Sequence, residues 1–136
     1  MIQSLEVYEV ARIKFSLEHL QHIIYTGNVQ AGWWKDIKTN EPTPKGDVTV
    51  QLAKLALVHS EVSEAVEGVR KGLMDDKLPH RPMPEVELAD AIIRAFDLAG
   101  HEGWDLAGAI LEKLEYNASR ADHKIENRLA DGGKKA

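Results

Sequence analysis

Apolar residues recur at three- and four-residue intervals along most of the chain, and the pattern breaks at glycine and proline. Leu5, Tyr8, Ala11, Phe15, Leu20, Ile23 and Ile24 predict a first helix from about Ser4 to Tyr25, with Thr26-Gly27-Asn28 as its stop. A polar loop with Pro42 and Pro44 follows Trp33-Trp34. Asp47 is a good N-cap for a second helix that runs to Arg70, with Gly72 at its end. Pro84 suits the first turn of a third helix, about Pro84 to Ala99, with a turn over Gly100 to Gly103. Asp105 caps a fourth helix that reaches about Arg120. Val48-Thr49-Val50 alone alternates like a strand, and it is too short to count.

Four helices with modest connections predict an all-α fold, a four-helix bundle or a close relative. The expected organisation is one helical domain over 1–130 and a flexible tail over 131–136. The third helix has an unusual pattern. At about 100° per residue, Leu88, Ala91, Ile92, Ala95 and Ala99 share one face, and Val86 and Ile93 lie nearly opposite. Glu87, Asp90, Arg94 and Asp97 form a polar stripe between them. A polar stripe flanked by apolar surface on both sides predicts a helix covered twice, by its own domain and by a second subunit.

Composition narrows the chemistry. There is no cysteine among the 136 residues, which excludes disulfides, thiolate zinc sites, iron–sulfur ligation and cysteine nucleophiles. The 17 basic and 22 acidic residues give a net charge of −5, which argues against a general binder of nucleic acid or anionic membrane. Six basic and four acidic residues from Lys113 onward make that end +2 and leave −7 on residues 1–112. The first residues carry no secretory pattern and no apolar run reaches membrane-spanning length, so a cytoplasmic protein is expected.

The chemistry-bearing residues form two acid-x-x-acid steps, Glu61-x-x-Glu64 on the second helix and Glu87-x-x-Asp90 on the third. Each step places two carboxylates on one side of a helix, with Cβ atoms about 5–6 Å apart. One such step suits an ordinary solvated face. Two of them on antiparallel neighbours would gather four carboxylates in one pocket, which then requires protons or cations. Oxygen-only donors favour Mg2+, with Mn2+ as a substitute, over zinc or copper. Magnesium shares its shell with substrate phosphates, so the set points to a phosphorylated substrate. Di-iron bundles use Glu-x-x-His steps, and no Glu here has a His three residues on.

Lys113, Asn117, Arg120 and Lys124 fall at spacings of four, three and four along one helical stripe. Such a stripe can hold a di- or triphosphate, or it can be a solvated basic helix end that complements the helix dipole. Trp33-Trp34 is either a pair of core anchors or a stacking surface for a nucleobase, with His22, Tyr25 and Asn28 just upstream as polar contacts to a base edge. His59 and His101 read as packing or capping residues, His80 and His123 as exposed ones, and Trp104 as core.

These residues together resemble the MazG-like all-α nucleoside triphosphate pyrophosphohydrolases of the short phage and bacterial type. The resemblance rests on four motifs in order: Asn28…Gly32-Trp33-Trp34; Glu61-x-x-Glu64 within Leu55 to Glu67; Glu87-x-x-Asp90 after 22 residues; and Lys113-x-x-x-Asn117-x-x-Arg120. It covers roughly Glu18 to Lys124. It implies an oligomeric bundle that hydrolyses (deoxy)nucleoside triphosphates to the monophosphate and pyrophosphate with Mg2+. Glu61, Glu64, Glu87 and Asp90 would hold the metal, with Glu61 or Glu64 as the catalytic base. Lys113, Asn117, Arg120 and Lys124 would grip phosphates. Trp34, Trp33, Asn28 and His22 would contact the base. The expected partners are the nucleotide and further copies of the chain, as a homodimer or homotetramer. A relative specialised for dUTP or phosphoribosyl-ATP, and a non-catalytic helical interaction protein, remain the alternatives.

Overall fold

Among the described residues, five α-helices and one 3₁₀ turn account for most of the chain. The computed structural model describes residues 6–132. In chain order these are α1 (Val7–Gln30), α2 (Val48–Lys71), α3 (Met83–Glu102) and α4 (Leu106–Ser119). The 3₁₀ turn (Ala121–His123) and a short α5 (Ile125–Leu129) follow. Among the described residues there is no strand, only the isolated bridges Lys35–Pro42 and Met74–Pro82 in the two long loops. No described helix is long and apolar enough to cross a membrane. The expected helix start at Ser4 and Leu5, and the tail from residue 133 onward, lie outside the described residues.

The N-caps follow the expected chemistry. Asp47 accepts hydrogen bonds from the Thr49 and Val50 amides at the start of α2, and Asp105 accepts one from the Gly108 amide at the start of α4. Helix ends differ from expectation in two places. The first helix runs through Gly27 to Gln30, and the third runs through Gly100 to Glu102. In both cases the stop lies at a later glycine with positive φ, Gly32 (84°) and Gly103 (76°). Gly72 (63°) ends α2 as expected. Each of these ends carries the six-to-one backbone bond of a Schellman motif: Trp33 N–H to Asn28 O, Leu73 N–H to Gly68 O, and Trp104 N–H to Ala99 O.

The chain divides into two compact units, one formed by 20–104 and the other by 6–19 with 105–132. The larger unit contains the principal helix pair, α2 with α3. Glu61 meets Arg94, Lys54 meets Asp97, and Gln51 meets Glu102. Partner numbers fall on one helix as they rise on the other, so the two helices run antiparallel. Ala65, Ala91, Phe96, Leu98 and Ala99 are buried in this unit, together with Trp34 from the turn after α1. The polar stripe of α3 faces α2 and is buried at Glu87 and Asp97, whereas Leu88 and Ile92 stay about half exposed. Trp104, read above as core, is 46% exposed. It serves as the apolar residue after the α3 stop instead.

Gly100 has a packing role. A Cβ there would lie 2.5 Å from Tyr25 Cβ and 2.8 Å from Tyr25 Cγ. Those atoms sit next to the α1 backbone and cannot swing away. Alanine inside a helix normally gains about 0.5–1 kcal/mol over glycine, but overpacking at this contact costs about 1–3 kcal/mol. Gly100→Ala is therefore expected to lower unfolding free energy, measured by urea denaturation; a stabilised variant would show that α1 and α3 do not approach closely here.

In the smaller unit, Ala107 and Gly108 are buried at the start of α4. Lys14 pairs with Glu18 and lies 3.7 Å from Asp105.

Candidate metal centre between helices α2 and α3

Three of the four carboxylates of the two acid-x-x-acid steps meet, and the exposed Glu64 stays outside that cluster. Antiparallel packing brings Glu61 on α2 opposite Glu87 and Asp90 on α3, and one oxygen from each of the three lies within 4.8 Å of the others. Glu61 and Glu87 are buried, Asp90 is half-buried, and Glu64 is exposed. All four line one cavity of about 720 Å3. Its far wall is the loop after α2, where Asp75 is buried and its Oδ1 accepts the amides of Lys77 (3.0 Å) and Leu78 (2.5 Å). The two bonds close an Asx-type turn in that wall.

Burial pushes the Glu87 carboxyl up to about 7; its hydrogen bond with Glu61 and the charges of Glu64, Glu61 and Asp90 push in the same direction. The group keeps a proton where an isolated glutamate would not. One cation already reaches the cluster: Arg94 Nε donates to Glu61 Oε1 at 2.5 Å. Among the described residues Glu64 and Asp90 accept no hydrogen bond. The donor set is hard oxygen throughout, with two unpartnered carboxylates and one whose pKa burial and its acidic neighbours push up. That chemistry fits a divalent cation such as Mg2+ or Mn2+.

A second, smaller cavity of about 310 Å3 adjoins the first. It is lined by Asn28, Trp33, Lys54 and Asp97 among others, and it shares Asp90 and Arg94 with the larger one. Of the four residues expected to contact a base, Trp33 and Asn28 line this cavity. Trp33 is 70% exposed and presents a ring face. Trp34 is only 5% exposed. Its indole stacks on His101 at 3.7 Å, Lys54 Nζ sits 4.2 Å over the ring, and Nε1–H donates to Asp97 Oδ1 at 2.8 Å. Trp34 is thus a core anchor with little surface to offer. His22 is exposed on α1 and does not line this cavity. His101 packs as expected, whereas His59 is exposed.

The four expected phosphate residues belong to the smaller unit. Lys113 is exposed with Nζ 4.6 Å over the Tyr116 ring, and Asn117 Oδ1 is buried without a hydrogen-bond partner. Arg120 caps the end of α4 and makes a two-pronged pair with Asp122, at 2.9 and 2.5 Å. Lys124 is exposed between the 3₁₀ turn and α5.

Sequence reasoning missed several residues that build this region. Arg94 and Asp97 were visible only as members of the α3 stripe, and their partners Glu61 and Lys54 required knowing the helix register. Lys54 stands seven residues before Glu61 on α2, the two-turn spacing that places both on one face. Asp75 carried the faint signal of an Asp-Asp-Lys-Leu turn. Comparison of the chain with protein-family models, with curated proteins and with solved structures yields no match.

Proposed function

We propose that this protein is a Mg2+-dependent pyrophosphohydrolase that converts (deoxy)nucleoside triphosphates to the monophosphate and pyrophosphate. The observation that carries the reading is the convergence of Glu61, Glu87 and Asp90 within 4.8 Å on two antiparallel helices, beside a cavity of about 720 Å3. A divalent cation bound there supplies charge neutralisation and a template for phosphate oxygens. Glu61, Glu64, Glu87 and Asp90 are its ligands in this reading. Glu64 is the better candidate for the base that accepts a proton from the attacking water. It is exposed and carries no partner among the described residues, while Glu61 is held by Arg94. Trp33 and Asn28 offer a stacking face and a polar edge to a nucleobase, in a cavity that Lys54 also lines. Lys113, Asn117, Arg120 and Lys124, all in the smaller unit, are the residues that the family resemblance assigns to the phosphate chain.

The reading includes a homo-oligomer, dimer or tetramer, in which the four long helices form a bundle. Leu52, Leu55, Val62, Val66 and Val69 are all exposed on α2, at spacings of three, four or seven. That is the a/d seam of helices that pack against another helix. Leu88 and Ile92 extend the uncovered apolar surface on α3. The same seam would serve a purely structural helical protein, and activity separates the two. The decisive assay is a panel of ribo- and deoxynucleoside triphosphates, with Mg2+ or with chelator, resolved by chromatography. The expected result is monophosphate plus pyrophosphate only when Mg2+ is present, with one or a few bases preferred. Turnover of dUTP or phosphoribosyl-ATP alone would identify a specialised relative. Diphosphate plus orthophosphate would overturn the reaction, and no turnover of any compound would favour the structural protein.

A further inference from the structure

Arg94 occupies a place that the carboxylate cluster alone does not explain. It stands on α3 one turn beyond Asp90, and its Nε reaches across to Glu61 on α2. Glu61 is buried, with 8% of its side chain exposed, while 42% of the Arg94 side chain is exposed. The guanidinium uses only its Nε–H in this contact. Among the described residues neither Nη nitrogen donates a hydrogen bond. Asp90 and Arg94 are the two residues common to both cavities, so Arg94 stands where the carboxylate cavity meets the one lined by Trp33 and Asn28.

We infer that Arg94 is a substrate-positioning residue held in reserve by Glu61: it neutralises Glu61 until a divalent cation does so, and its freed guanidinium then binds the phosphate chain of the nucleotide. The inference rests on the metal reading proposed above. Three facts support it. Glu61 cannot give its full charge to a metal while it accepts a charge-assisted bond from a guanidinium, so cation and Arg94 compete for one carboxylate. A nucleotide with its base against Trp33 and its phosphates at the carboxylates must pass Arg94, because Arg94 lines both cavities. A planar fork with free Nη donors is the side chain best matched to phosphate oxygens. A merely structural ion pair would make none of these demands, and it would need neither the exposed position nor the idle donors.

The test measures Mn2+ binding without nucleotide, by the electron paramagnetic resonance of free Mn2+, in wild type and Arg94→Gln. Removal of the competing cation is expected to tighten Mn2+ binding roughly tenfold, the scale of one hydrogen bond to a charged group. The same variant should bind Mn2+-loaded inorganic tripolyphosphate about tenfold more weakly by calorimetry. Equal or weaker Mn2+ affinity in Arg94→Gln overturns the inference, as does unchanged tripolyphosphate affinity. A second measurement uses only wild type: the Arg94 Nε–H resonance, followed while Mg2+ is added, should leave its hydrogen-bonded position. A resonance that stays in place at saturating Mg2+ overturns the inference even if Arg94→Gln does not fold. Wild type that binds no Mn2+ removes the metal reading itself, an outcome distinct from a wild type that binds metal with Arg94 unmoved.

Discussion

Glu87→Gln is expected to stabilise the metal-free protein and to lower the proposed hydrolysis by about 10²–10³-fold. The two effects share one cause. Glu87 is buried among Glu61, Glu64 and Asp90, and its carboxyl is pushed up to about 7, chiefly by loss of hydration. In the unfolded chain the same group titrates near its ordinary value of 4.5. Between these values the folded protein binds more protons than the unfolded one. Its stability therefore falls as pH rises from about 4.5 through 7 and levels off above. A glutamine resembles the protonated acid in shape and carries no charge, so it removes the loss. We expect Tm of the metal-free variant at pH 8 to exceed wild type by about 2–6 °C, and the two to converge near pH 5. In the proposed reading a bound divalent cation reverses the comparison. It takes the place of the proton, so Mg2+ affinity of wild type should rise with pH through 7, one proton being released at Glu87. Glutamine is a poorer ligand for a hard cation and cannot supply the charge, so turnover should fall by about 10²–10³-fold, the loss typical when one electrostatic element of a site is removed. Calorimetry at pH 5 and pH 8, with Mg2+ or chelator, checks the set. A variant with lower Tm than wild type in chelator at pH 8 would show that the four carboxylates do not repel one another as the geometry requires.

The helices themselves were legible because the periodicity is strong and both N-caps are aspartates placed before apolar runs. The stops at Gly27 and Gly100 were misjudged for a physical reason. Glycine within a helix costs only about 1 kcal/mol relative to alanine, so its presence alone does not end one. A stop needs a glycine that can take positive φ and a following apolar residue to pack back on the helix. Gly32-Trp33, Gly72-Leu73 and Gly103-Trp104 meet both conditions; Gly27-Asn28 and Gly100-His101 have polar followers. The pairing of the carboxylates was legible as well, since spacing fixes which side of a helix each occupies. What occupies the space between them was not. The Glu61–Arg94 and Lys54–Asp97 pairs depend on helix register across a connection from Gly72 to Pro82, and register is not written in either helix alone. The polar stripe on α3 is turned to α2, as the facing carboxylate pairs imply, and the Leu88 and Ile92 surface, expected to be covered by its own domain or a second subunit, is uncovered within one chain.

Trp34→Ala is expected to be the most destabilising single change in the larger unit, at about 3–5 kcal/mol. Against a typical total of about 5–15 kcal/mol, that is enough to unfold a marginal domain at physiological temperature. The effect has three parts that act at one point. The indole fills space beside Tyr25 and His101, with ring centroids 6.2 and 3.7 Å away. Its Nε1–H satisfies Asp97, a carboxylate only 5% exposed. Its face carries the Lys54 ammonium, which also lies 3.9 Å from Asp97. Alanine removes all three. Phenylalanine keeps most of the packing and the ring face but leaves Asp97 Oδ1 without its donor, a loss of about 1–3 kcal/mol for a buried group. The expected order of stability is therefore wild type, Trp34→Phe, Trp34→Ala. The neighbouring residue is the control. Trp33 is 70% exposed, and Trp33→Ala should lie within about 0.5 kcal/mol of wild type while weakening nucleotide binding. Urea denaturation followed by far-ultraviolet circular dichroism measures all four proteins in chelator, and nucleotide affinity is read separately. If Trp33→Ala were the destabilised variant and Trp34→Ala the stable one, the assignment of anchor and stacking face would be reversed, and with it the reading of the smaller cavity as the place for a base.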